Sequence, residues 1–81
     1  MEVRQVLDRI NALVDEEHRL LGVHASGKPM SDEERERMGA LEVTLDQCWD
    51  LLRQRRARRH AGQDPDQAEV RPASVVERYV Q

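Results

Sequence analysis

Few side chains in this sequence are spaced for chemistry. Asp15 and His18 stand three residues apart, the interval at which a carboxylate and an imidazole on one helical face share a metal in di-iron bundles. Those bundles use Glu at that interval and need further inward carboxylates. The acids that come later, Glu42, Asp46 and Asp50, mostly flank an apolar face, so no metal site is expected. His18 and His24 read as solvated, and Glu17 as a salt-bridged or snorkelling residue. Cys48 is the only cysteine. It falls in an apolar stripe and reads as a packed thiol rather than a nucleophile. Gly27-Lys28 lacks the upstream glycine and the preceding strand of a phosphate loop. The remaining candidate is the basic run Arg53, Arg55, Arg56, Arg58 and Arg59. Cations there can offset a helix dipole and pair with acids one turn back, or they can contact phosphates or an acidic protein surface. No catalytic residue and no cofactor site emerges, and a non-enzymatic role is expected.

The elements that carry these residues follow from periodicity. Val3, Val6, Leu7, Ile10, Leu13, Val14, Leu20 and Leu21 keep the three-four spacing of one helical face. This predicts a helix over 2–22 with Gly22 as its C-cap, then a connection over 23–31 punctuated by Gly27 and Pro29. The apolar stripe is three positions wide per heptad, which suits a helix with two neighbours rather than one. Ser31-Asp-Glu-Glu34 has the form of a capping box, with acids at the positive end of the dipole. It opens a second helix over 32–60, whose stripe is Met38, Leu41, Leu45, Cys48 and Leu52, with Trp49 adjoining.

Folded back on each other, the two helices set Leu13 against Leu41, Ile10 against Leu45, Val6 against Cys48 and Val3 against Leu52. Glu17 then faces Arg37 and Met38. At a rise of 1.5 Å per residue the first helix is roughly 30 Å long and the second roughly 43 Å, so the arginine turn should overhang. The expected fold is all-α: an antiparallel, coiled-coil-like two-helix hairpin over 1–60 and an extended C-terminal tail over 61–81. In the tail, Pro72 starts a short helix near 73–80 with Val75, Val76, Tyr79 and Val80 on its apolar side. The stretch between Gly62 and Ala73 shows no core pattern. A hairpin alone leaves Leu7, Val14, Leu21 and Trp49 partly uncovered. The expected remedy is a homodimer closing into a four-helix bundle, with the docked tail as the competing cover.

Composition narrows the class. With 81 residues there is room for one small domain, and 36% of them are charged. The net charge of −3 is spread unevenly. Acids dominate the start of the second helix and arginines its end, so the local field matters more than the total. A lone cysteine excludes disulfide scaffolds and suits a reducing cytoplasm. No signal-like or membrane-spanning apolar run is present, so no membrane partner is expected. Nucleic acid is possible at the basic run but not favoured, since aromatics are not interleaved with it and acids lie close by.

The run Leu45-Asp-Gln-Cys-Trp-Asp-Leu-Leu-Arg-Gln-Arg-Arg56 is distinctive. Together with Leu7-Asp-Arg-Ile10, Leu13-Val-Asp-Glu-Glu-His18, Asp64-Pro65 and Val70-Arg-Pro72, it resembles a short actinobacterial family, domain of unknown function 2630. The resemblance covers nearly the whole chain. It implies an intracellular helical protein without an assigned activity and brings no catalytic residue. It directs interest to Trp49, Cys48, the arginine turn (Arg53, Arg55, Arg56, Arg58, Arg59) and the tail with Tyr79 as a surface for an unknown protein partner.

Overall fold

Ser31 sets the frame of the hairpin. Its hydroxyl accepts the Glu34 amide proton at 3.1 Å, and the Ser31 amide donates back to Glu34 Oε1 at 3.0 Å. These two bonds satisfy amides that a helix start leaves without partners, and the Ser31 amide, together with the Ser31 hydroxyl, holds the Glu34 carboxyl below its ordinary range. In the computed structural model, which describes residues 1–25 and 27–80 (without the side chains of 23–25, 79 and 80), the helix so opened is α2, Asp32–His60. It is preceded by α1, Val3–Ala25, and followed by a single 3-10 turn, Pro65–Gln67, and by α3, Ala73–Val80. No strand occurs among the described residues. The protein is an all-α hairpin with a tail that ends in a short helix.

The helix ends obey local chemistry. Gly62 at φ 73° closes α2: its amide donates to Arg59 O at 3.2 Å and that of Gln63 to Arg58 O at 2.8 Å. A left-handed residue is needed there, and only glycine adopts it without steric cost. Gly22 does not end α1, which runs on to Ala25. Glycine costs a helix only about 1 kcal/mol relative to alanine, so it does not by itself terminate one. His24 lies outside the described side chains.

Val6, Ile10, Leu45 and Cys48 share one buried cluster, as the antiparallel pairing requires, with Leu13, Val14 and Leu52 packed at its edge. Two of its members are not on the stripe read from sequence: Leu51, 1% exposed, and Ala68, fully buried. Ala68 comes from the tail, and Leu51 lies on the edge of the α2 stripe nearest Gln47 and Gln54, which bond the tail. The stretch from Gly62 to Ala73, which has no apolar periodicity, is docked along α2 rather than trailing from it. The ion pair to α1 also shifts by one residue from the expected Glu17. Arg37 Nη2 reaches Glu16 Oε1 at 2.7 Å and its Nε bonds Oε2, because Glu16 is on the flank of the α1 stripe that turns toward Arg37.

Candidate interaction surface

The tail is held by two polar clasps on α2. In the first, Asp50, 1% exposed, receives Arg71 Nε at 2.9 Å, Arg71 Nη2, and Gln54 Nε2 at 2.9 Å. Arg71 outweighs the penalty of burial and holds the Asp50 carboxyl below its ordinary 3.8. Gln54 Nε2 also donates to Glu69 O at 2.9 Å, and Gln47 Nε2 to Arg71 O at 3.1 Å, so α2 side chains satisfy the extended tail backbone.

In the second clasp Arg55, 5% exposed, turns its Nη1 onto Asp66 Oδ1 at 2.7 Å, Pro65 O at 3.2 Å and Met1 O. The Met1 nitrogen in turn donates to Asp66 O at 2.8 Å and Ala68 O at 3.1 Å. The Asp64 side chain caps the 3-10 turn by accepting the Asp66 amide at 2.9 Å. Arg55 therefore does not overhang as expected. The segment before α1 and the 3-10 turn close around it, and its charge is met inside the protein.

The other arginines of the run face solvent or its edge. Arg53 lies 3.8 Å from Asp50 Oδ1, a one-turn pair of the kind the run allows. Arg56, Arg58 and Arg59 have no ionic partner among the described residues. Arg55, Arg56 and Arg59 line an open cleft of ≈ 180 Å³ with Val3 and Leu52. Val3 of α1 thus sits beside the arginine turn, a contact the length comparison of the two helices did not anticipate.

The flanks of the hairpin differ. The Glu16–Arg37 pair shows which flank of α1 meets which flank of α2. On helical geometry Leu7 and Val14 project from the α1 flank opposite Glu16, and Trp49 and Arg56 from the matching α2 flank. The tail bonds to Gln47, Asp50 and Gln54, beyond the other side. Leu7, Leu21 and Trp49 remain 46%, 47% and 45% exposed, while Val14 is half-buried. The tail therefore does not serve as the cover for this side. Val76 is fully buried, so α3 is docked; Tyr79 lies outside the described side chains.

Cys48 is 5% exposed, and burial pushes its thiol up from 9.0. His18 is exposed. Among the described residues no three His, Cys, Asp or Glu side chains converge as metal ligands. None of the described helices is long and apolar enough to cross a membrane.

A family described as a protein of unknown function (DUF2630) matches residues 2–81. The chain belongs to this family. Uncharacterised proteins of Mycobacterium bovis and of two strains of Mycobacterium tuberculosis are 48% identical to this DUF2630 chain over 75 residues, covering 93% of it and 86% of each relative. No solved structure matches it. The motifs that carry the DUF2630 resemblance are largely one another's partners: Asp50 and Arg55 of the central run hold Arg71 of Val-Arg-Pro and Asp66 beside Asp64-Pro65.

Proposed function

We propose that this chain is a non-enzymatic protein-interaction module, working in the cytoplasm, that pairs with a second copy of itself and presents its basic helix end to a further protein. The carrying observation is the uncovered side of the hairpin, where Leu7, Leu21 and Trp49 are each nearly half exposed. Monomeric proteins rarely leave such a line of large apolar side chains in water. The tail, anchored at Asp50 and Arg55, is committed elsewhere. A two-fold axis across the level of Leu13 and Leu41 lays Trp49 toward the partner's Leu21, so that each copy's apolar line covers the other's.

The test is light scattering and sedimentation over a range of concentrations. The wild type should pass from monomer to dimer. Trp49→Glu and Leu21→Glu should stay monomeric with unchanged helical circular dichroism. A wild type that remains monomeric at its highest soluble concentration contradicts the pairing.

A further inference from the structure

We infer that the cleft at the arginine end binds a short peptide segment carrying both acidic and aliphatic side chains. The cleft is built from two elements: Val3 from the first turn of α1, and Leu52, Arg55, Arg56 and Arg59 from the last turns of α2. Val3 is 38% exposed and supplies aliphatic surface with Leu52, which is half-buried. Arg55 contributes a wall but little free charge, since Asp66 lies 2.7 Å from its Nη1. Arg56 and Arg59 are exposed and meet no carboxylate among the described residues.

The occupant must therefore bring negative charge to Arg56 and Arg59 and an apolar group to Val3 and Leu52. A polypeptide with a carboxylate and an aliphatic side chain close together meets both demands, and guanidinium groups recognise carboxylates through paired donors. A single-stranded nucleic acid meets only the first. Its bases bind by stacking on aromatic faces, and the cleft lining contains none. The inference rests on the reading that the basic helix end meets a further protein. The cleft shares Arg56 with the flank proposed for pairing, and that flank runs on to Leu21 at the far end, where a substitution separates the two.

The experiment measures fluorescence anisotropy of a short labelled peptide of alternating glutamate and leucine, titrated with the full chain. Saturable binding is expected. It should weaken about tenfold or more in the double variant R56E/R59E, where two attractive contacts become repulsive. Val3→Glu, which places a carboxylate in the cleft without touching the arginines, should weaken it comparably, with circular dichroism unchanged in both. The same peptide with serine for leucine should bind more weakly, and so should one with glutamine for glutamate. Leu21→Glu should retain the peptide even when it abolishes pairing, so failure of one proposal is separable from failure of the other. The inference is overturned if both cleft variants bind as the wild type does, if the serine peptide binds equally well, or if an oligothymidylate binds and the peptide does not.

Discussion

Removing the two partners of the Asp50–Arg71 pair one at a time should cost unequal amounts. Asp50 is 1% exposed, whereas the Arg71 side chain is 39% exposed. In Arg71→Ala the Asp50 carboxylate stays buried with Gln54 at 2.9 Å and a distant Arg53 at 3.8 Å. Stranding a buried charge costs roughly 3–5 kcal/mol, and the two remaining donors bring the expectation to about 3. In Asp50→Ala the guanidinium left behind turns to water, and the loss is that of charge-assisted hydrogen bonds, about 1.5 kcal/mol. The double variant should resemble Asp50→Ala more than the sum, because no ion is left stranded. The tail can also release as a unit, which caps the cost of Arg71→Ala at the free energy of docking. Urea unfolding followed at 222 nm gives the totals, and amide hydrogen exchange over 47–54 reports release. Lowering the pH should narrow the deficit of Arg71→Ala, since the unpartnered Asp50 can then take a proton. Equal costs for the two single variants, or a double variant as costly as their sum, would refute the asymmetry.

Arg55→Ala should lower stability by about 2 kcal/mol, because it removes charge-assisted bonds to Asp66, which is 56% exposed and can turn to water, and leaves the Met1 and Pro65 carbonyls without this donor, whereas Arg56→Ala and Arg59→Ala should each stay within about 0.5 kcal/mol in the same urea assay. Cys48 should react with a thiol reagent only at the rate of opening in native buffer and immediately in denaturant, as its burial and raised pKa require; fast native labelling would contradict its placement. The docking of α3 should depend on pH with two opposite signs. Asp46 beside Glu77 holds the Glu77 carboxyl above its ordinary 4.5, so the stability it contributes when protonated is complete below that value and is lost as pH rises through the shifted one. Asp50 is shifted down, so its contribution is present above its ordinary 3.8 and lost as pH falls through the depressed value. Protection of the α3 amides relative to their intrinsic exchange rates should therefore be greatest in mild acid, and Glu77→Gln should remove the loss of protection on the way to neutral pH.

The hairpin is legible in the sequence because its chemistry is local. The Ser31–Glu34 box and the three-four spacing of Val6, Ile10, Leu45 and Cys48 each act within one or two turns, and each takes its expected place. The tail is not legible in that way. Ala68 is too small to signal a core position, yet it packs into the cluster with Val6, Ile10 and Leu51. Asp50 looks like a solvated flank residue until Arg71, 21 positions later, is brought beside it. Leu51 lies between the stripe that faces α1 and the side from which Gln47 and Gln54 bond the tail, and it shares one cluster with Val6, Ile10 and Ala68. Polar clasps between distant positions leave no period for a reader of one sequence to find.

That difference changes how the basic run should be understood. Five arginines at a helix end suggest a uniform patch, yet the structure divides them. Arg55 is structural, anchoring the tail through Asp66. Arg53 is partly engaged with Asp50, and Arg56 and Arg59 flank a cleft with aliphatic surface. The division follows from angle: at 100° per residue, Arg55 points between the two stripes of α2, where both the segment before α1 and the tail can reach it. Arg56, one step on, turns toward the side that carries Trp49. One residue of the run thus holds the scaffold closed while its neighbours are free to meet a partner, so truncating the run as a block conflates folding with binding. Single substitutions separate them. Loss of binding in an Arg56→Ala chain of undiminished stability would place the contact on the surface, whereas loss that tracks stability through Arg55 alone would assign the whole run to the scaffold.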